Sequence, residues 1–366
     1  MLKSIKNNPV TTTVFILAFI TVLFVPVDKE YINYFDIKTL GSLFCILVVV
    51  QCLKNSNFFQ MISKKTVYLF KNTRSIVLAL IVLTFICDLF LANDMSLITL
   101  LPLTYIVLES TNNMKYFAFT MILQTIAANM SGMIIPHGNP QNLYLYSYYN
   151  IPTLEFIKTL LPQFLLVLFL LILLPIIFVK KEPLKINYDD KISFNKTKIV
   201  IYLFMFLLSL LVIFRAAPLT IGIVIIVILA FILDKKALVM MDWDLLLTFC
   251  LFFIFSGNIS RITSISDFLK SLLDKNVLIT GIVSCQFISN VPTAVLLSKF
   301  TNNYTDLLIS VNIGSLGTLI SSLASLITIK EFLKHEPNKS WYYLGLFTII
   351  NLFFMIMILG LTYIIR

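Results

Sequence analysis

The run Cys285-Gln286-Phe287-Ile288-Ser289-Asn290-Val291-Pro292-Thr293 decides how this chain is read. It stands halfway along the apolar segment 277–300, which is otherwise long enough to cross a membrane once. Burying a Ser-Asn pair at that depth costs free energy unless its polar groups find partners, so a simple span does not explain it. The first half of the chain holds a matching interruption, Cys87-Asp88-Leu89-Phe90-Leu91-Ala92-Asn93-Asp94, between the apolar segments 75–91 and 95–110. With one gap the two runs align, Asn93 on Asn290 and Ala92 on Ser289. Each reads as a helical hairpin dipping into the membrane, with the Asn at its bend.

A second matched pair follows the hairpins. Asn129-Met130-Ser131-Gly132, then Pro136-His137-Gly138-Asn139-Pro140-Gln141-Asn142, aligns without gaps on the run from Asn312 to Ser325. Asn312 meets Asn129, and Ser321, Ser322 and Ser325 meet Gly138, Asn139 and Asn142. Both segments, 115–150 and 304–329, read as apolar helices broken by a polar, poorly helix-forming stretch.

Working outward, composition fixes the class. Of 366 residues 59% are hydrophobic and 13% charged, with a mean hydropathy of +0.94, against about 25% charged in a soluble domain. Further apolar segments stand at 9–27, 36–53, 153–179, 199–215, 218–233, 245–262 and 341–364. These runs are too long for the strands of a β-barrel. The first lacks a small-residue cleavage site and is followed at once by another span, so it reads as a retained helix. The five cysteines all lie in apolar stretches without a CxxC pair, as small buried residues do. The net charge of +10 is a matter of topology and not of nucleic-acid binding, because the basic residues sit in short loops. Nineteen of the 28 fall on one side, which positive-inside logic makes cytoplasmic. The N-terminus is then cytoplasmic and the C-terminus outside. The stretch Lys54–Arg74, mixing aromatic and basic residues, reads as a helix on the membrane surface, the alternative being a solvated connector with a few anchoring aromatics. The polar linker 181–198 divides the chain into an N-terminal repeat, 1–180, and a C-terminal repeat, 199–366, of opposite orientation. The expected fold is an all-α polytopic membrane protein with two inverted repeats, each holding a re-entrant helical hairpin (75–110, 277–300) and a broken helix.

A broken helix presents free N–H groups at one bend, which attract anions, and free C=O groups at the other, which coordinate cations. Open backbone is tolerated in hydrocarbon only where protein or a watery cavity satisfies it. Inverted repeats bring two such breaks to the midplane, where substrate and coupling ions bind. The expected site therefore comprises Asn93, Asp94, Gly138, Asn139, Asn142, Ser289, Asn290, Thr293, Ser321, Ser322 and Ser325. Asp88, Asn129, His137 and Asn312 are secondary candidates. Asp88 and Asp94 are the acidic residues placed at membrane depth, where a carboxylate is a functional candidate by default. Asp94 can also cap the second hairpin arm, and burial against a polar partner would account for Asp88. His137 suits a proton-coupled step, although a lone histidine beside a loop is more often structural.

These residues carry a family resemblance. Leu91-Ala92-Asn93-Asp94 with the apolar run to Pro102, and Ile288-Ser289-Asn290-Val291-Pro292-Thr293, resemble the paired motifs of arsenite/antimonite permeases. The Asn-centred bends also resemble the Ser-Asn-Thr motifs of divalent anion/sodium symporters, both families belonging to the ion transporter superfamily. Gly138-Asn139-Pro140-Gln141-Asn142 is most similar to uncharacterised permeases of that group. The resemblance implies scaffold and transport domains, a homodimer, alternating access, and binding of substrate or ion by Asn93 and Asn290. Asp94 stands where the symporter motif has its Thr, and Val291 replaces the second copy.

The expected function is secondary active transport of a small anion, with H⁺ or Na⁺ as coupling ion and no other cofactor. The expected setting is the cytoplasmic (inner) membrane of a prokaryote, with the lipid bilayer as partner and no nucleic acid. Arsenite/antimonite efflux and Na⁺/H⁺ exchange are the alternatives on the same fold. No ATP-binding glycine loop, HExxH or GxSxG motif occurs, which removes primary pumping by this chain and leaves an intramembrane enzyme without a constellation. A purely structural subunit does not explain two matched polar breaks.

Overall fold

The computed structural model describes residues 9–58, 72–90, 93–183 and 195–365. The surface helix expected over Lys54–Arg74 and the linker 181–198 fall largely outside them, as does Ala92 at the first bend. The described residues are helical throughout, with a single bridge between Asn72 and Pro183.

In chain order the helices are α1 (Pro9–Phe24), α2 (Ile37–Asn55), α3 (Thr73–Asp88), α4 (Asn93–Ser110), α5 (Phe117–Ser131) and α6 (Pro140–Tyr148). There follow α7 (Thr153–Phe178), α8 (Lys196–Ile213), α9 (Leu219–Leu233), the short α10 (Lys235–Met240), α11 (Trp243–Arg261) and α12 (Thr263–Lys275). The chain closes with α13 (Val277–Ile288), α14 (Asn290–Leu297), α15 (Tyr304–Ile313), α16 (Leu323–His335) and α17 (Ser340–Ile364). Among the described residues six helical stretches are long and apolar enough to cross a membrane: 37–55, 114–134, 153–178, 196–213, 243–261 and 337–364. The protein is an integral membrane protein. Its outer faces fit that solvent: Ile221, Val224, Ile228 and Phe231 of α9 are exposed, whereas Gly222, Ile226 and Ala230 on the other face are buried.

The hairpin arms α13 and α14, of 12 and 8 residues, extend only about 18 and 12 Å, well short of the ~30 Å hydrocarbon layer. Two packing groups are visible. In one, α1 lies along α11, and α2 contacts α8, α9 and α10. In the other, α3, α4 and α5 pack together, α13 packs on α14 and α15, and α16 lies against α4 and α5. The groups meet where α11 touches α14 and α2 touches α6.

Two elements differ from the sequence expectation. The second broken helix continues past residue 329 to His335. Its polar last turn holds because Glu331 pairs with Lys334 and His335 at helical spacing, and basic residues suit a helix C-terminus. His335 also stacks 3.5 Å from the ring of Tyr105 on α4. The second difference is α12, which the apolar profile does not show because Asp267, Lys270 and Asp274 alternate with Phe268, Leu269 and Leu272. Just before it, Arg261 at the end of α11 binds Asp28 (2.6 Å) and reaches Glu30 (3.6 Å), tying α11 to the loop after α1. The guanidinium's hydrogen bonds hold the Asp28 carboxyl below the usual carboxylate range.

Candidate functional site

The first break lies between α5 and α6. α5 ends at Ser131, a 3-10 turn covers Gly132–Ile134, and α6 starts at Pro140, whose missing N–H is no loss at a first helical position. Here the chain passes so close to itself that a Cβ on Gly138 would stand 2.4 Å from Gly132 Cα and O. Asn139 bridges the break by donating to Asn129 O (2.9 Å), and Asn142 donates to Gly132 O (3.4 Å).

The second break separates α15 from α16. It turns through Gly317 (φ +111°), and Ser322 caps α16 by accepting from Ala324 N (3.2 Å). Ser321 Oγ donates to Ser315 O (2.9 Å), across the positions that align with Gly138 and Gly132. A serine bond thus spans one break where two glycines touch in the other.

The breaks hold each other. Asn142 and Asn312 exchange amide hydrogen bonds of 3.2 and 2.8 Å across 170 residues of chain. Ser322 Oγ donates to Asn129 Oδ1 (2.7 Å), while Asn129 Nδ2 reaches Ser315 O (3.5 Å). Gly138, Asn139, Asn142, Asn129, Asn312, Ser321 and Ser322 are therefore brought together, all buried.

The second hairpin bend docks onto this cluster. Ser289 sits in the left-handed region (φ +71°), a conformation that costs a non-glycine residue of order 1–3 kcal/mol. It is held there by Ser289 Oγ donating to Ser321 O (3.1 Å) and by Thr293 Oγ donating to Ser289 O (2.7 Å). Asn290 Oδ1 accepts from Val291 N (2.9 Å). The residue is 5% exposed and lines a cavity of about 70 Å³ between the bend, Ile320 and Leu323 of the second break, and the first half of α11. Asp242 caps α11 by accepting from Leu245 N (2.9 Å) and supplies the acidic side chain of this lining. Burial raises its carboxyl above the ordinary value.

Each hairpin is also latched to its broken helix. Gln286 donates to Gly314 O and Leu316 O (both 3.0 Å) and accepts from Thr318 N (2.9 Å), so one amide satisfies three open backbone groups. At the aligned position Asp88, fully buried, accepts from Ser96 Oγ (3.0 Å) and Ser131 Oγ (2.7 Å). Gln286→Ala strands the three backbone groups and is expected to cost about 3 kcal/mol, read as a lowered unfolding temperature of the purified protein. An unchanged temperature would mean that water replaces the amide without loss.

Asn93 and Asp94 are the first two residues of α4, and their side chains are not among the described ones. His137 faces Phe206 and Phe214 edge-on at 6.1 and 6.0 Å and hydrogen-bonds the Leu89 backbone. Its Nδ1, Asn139 Oδ1, both amide atoms of Gln141, and Ser325 Oγ are buried without a protein partner among the described residues. Buried polar atoms in folded proteins nearly always have one; of the nine such atoms among the described residues five stand at the two breaks, the others being Gln163 Oε1, Asn258 Oδ1, Tyr343 OH and Asn351 Oδ1. Gln141 and Asp242 carry no signal of their own in the sequence. The repeat position of Gln141 is Ala324, and Asp242 looks like an ordinary helix cap in a loop.

A family model described as citrate transporter (CitMHS) matches residues 2–304. An uncharacterised transporter of Methanocaldococcus jannaschii is 35% identical over 302 residues, covering 82% of each chain. The inner membrane protein YbiR of Escherichia coli is 25% identical over 334 residues, covering 89% of this chain and 87% of its own. The silicon efflux transporter LSI3 of rice, Oryza sativa subsp. japonica, is 29% identical over 140 residues, 38% of this chain and 28% of its own.

Proposed function

The chain belongs to the CitMHS citrate transporter family of the ion transporter superfamily, and from that membership we propose that this transporter is a secondary active carrier of a small anion coupled to H⁺ or Na⁺. The observation that carries the reading is the set of polar atoms at Asn139, Gln141 and Ser325, buried without a partner among the described residues, on two broken helices that cross-brace each other. Such a site offers amides, hydroxyls and open backbone, which suit an anion together with a coordinating cation. The bonds Asn142–Asn312 and Asn129–Ser322 join one broken helix to the other, and Asn93 and Asp94 complete the site from the first hairpin. In this reading the group around α2 and α11 is the scaffold of a homodimer, and the hairpins with their broken helices move against it. The membrane is the cytoplasmic membrane of a prokaryote, with the N-terminus inside. The 70 Å³ cavity along the first half of α11 then leads from the cytoplasm toward Asn290.

Efflux of a neutral metalloid hydroxide is the second reading. It is favoured by the absence of Lys or Arg from the described lining around Asn290 and by the partial likeness to a silicon efflux transporter.

The test is flux in proteoliposomes, with citrate, silicate and arsenite each offered with and without Na⁺ and pH gradients. Gradient-dependent movement of citrate or another small anion is expected. Asn290→Ala is expected to reduce it to background because the amide lining the cavity is lost, and the unfolding temperature of the variant separates lost binding from lost fold. Flux of none of these cargoes, or wild-type flux in the Asn290 variant, would remove the reading.

A further inference from the structure

A larger cavity, of about 520 Å³, lies among α2, α6 and the turn that joins α8 to α9. Asp242 follows the far end of α9 through α10, so the cavity that reaches Asn290 and this one stand at opposite ends of that helix. Its floor is buried and largely apolar, built from Leu143, Tyr146 and Val212. Among the described residues its rim carries two cations, Lys38 and Arg215, and no acidic side chain.

Arg215 is held in place by its surroundings. Its backbone is left-handed (φ +63°), its guanidinium lies 4.2 Å over the Tyr146 ring, and it donates to Tyr146 O (2.7 Å) and Ile151 O (3.4 Å). Those bonds leave further N–H groups of the fork free for another acceptor. The Lys38 ammonium has no hydrogen bond or ion pair among the described residues. The nearby carboxylate, Asp36, is committed to capping α2, accepting from Lys38 N (3.0 Å), Thr39 N (3.2 Å) and Thr39 Oγ (2.7 Å). A third cavity, of about 460 Å³, also has two lysines in its lining, but there Lys115 pairs with Glu182 (3.4 Å) and Lys339 with Glu336 (3.0 Å). Uncompensated positive charge around a concavity with low-dielectric walls focuses the field and concentrates anions.

We propose that the Lys38–Arg215 cavity is an anion-binding site, separate from the paired breaks, that takes a carboxylate- or phosphate-bearing group. Arg215 supplies a planar fork suited to two oxygens and Lys38 a compact point charge. The same chemistry is offered by a small free polyanion and by the headgroup of an anionic lipid whose first chain atoms rest on the apolar floor.

The test uses the full chain in nanodiscs. In one arm inorganic phosphate is titrated into discs of phosphatidylcholine while the unfolding temperature is followed. In the other, phosphatidylcholine discs are compared with discs containing phosphatidylglycerol. Arg215 also caps α6, so the variants are made at Lys38, whose ammonium has no partner among the described residues; an acid there even suits the first turn of α2. A rise in unfolding temperature is expected in at least one arm. Lys38→Gln should weaken the apparent affinity about tenfold, Lys38→Glu should remove the rise, and Asn290→Ala should leave it intact. A rise with soluble anions assigns a free polyanion, and a rise confined to phosphatidylglycerol assigns a headgroup. No rise in either arm, or a rise that Lys38→Glu leaves unchanged, overturns the proposal. Loss of the effect in Asn290→Ala instead would place the anion at the breaks.

Discussion

Gly138→Ala is expected to abolish transport and to destabilise the protein by about 3 kcal/mol, for the sake of one methyl group. Gly138 does not need its freedom of φ. It needs the missing Cβ, which would stand 2.4 Å from Gly132 Cα and O. Both obstacles are backbone, so no side chain can swing aside. Relief requires the two limbs of the break to part, and that displaces Asn139 and Asn142, whose bonds to Asn129 O, Gly132 O and Asn312 Oδ1 hold the cluster. Gly132→Ala should behave alike, since its Cβ would meet Asn139 Oδ1 at 2.5 Å and the Gly138 carbonyl at 2.7 Å. Gly345→Ala and Gly360→Ala in α17 are the controls. Nothing lies within 4 Å of either added methyl, and a glycine replaced by alanine in a helix gains roughly 0.5–1 kcal/mol. Unfolding temperature and proteoliposome flux read both effects. Wild-type values in Gly138→Ala would show that the contact is not the constraint it looks to be.

Much of this architecture is legible in the sequence because hydrocarbon leaves a chain few options. Apolar runs must be helices, and a Ser-Asn or Gly-Asn-Pro stretch inside one must be a break that something satisfies. The helices α2, α7, α9, α11 and α17 lie within a few residues of their apolar runs for that reason. Aligning Asn129 with Asn312, and Gly138 to Asn142 with Ser321 to Ser325, also brought forward residues that the fold gathers, namely Asn129, Asn142, Asn312 and Ser322. Contact partners could not be foreseen in the same way. Alignment sets Asn142 against Ser325, yet in space Asn142 meets Asn312, because like positions in crossed elements face unlike ones. Gln141 escaped notice since its mate is Ala324, and Ser289 at φ +71° has no signature because serine does not advertise the left-handed region as glycine does. Arg215 and Lys38 are 177 positions apart, and in a count of charges they inform topology alone. Their convergence on one cavity belongs to tertiary structure.

Asp94→Asn is expected to leave counterflow exchange intact while abolishing gradient-driven accumulation. Asp94 stands in the first turn of α4, and its mate across the repeat alignment is Val291, so the two hairpins differ there by one ionisable group. In the proposed reading a carboxylate beside the amides and hydroxyls of the breaks can take a proton or Na⁺ in one facing state and release it in the other. Moving one charge through 100 mV is worth about 2.3 kcal/mol, which sustains a concentration ratio of about 50. Asparagine keeps the shape and can still cap the helix, but it cannot carry the charge. Exchange of cargo against cargo needs only binding and movement, so it survives; accumulation needs the coupled ion, so it fails. Asp242 is the competing carboxylate, at the mouth of the cavity that reaches Asn290. Being half-buried at a helix cap beside the first half of α11, it is placed to affect access from that end more than to ride between the two sides. Asp242→Asn should therefore slow exchange and accumulation together, with the ion dependence of both unchanged. If accumulation keeps its wild-type response to pH and Na⁺ in Asp94→Asn and loses it in Asp242→Asn, the coupling group is at the cavity mouth. Asp94 is then a helix cap, and the asymmetry between the hairpins is structural.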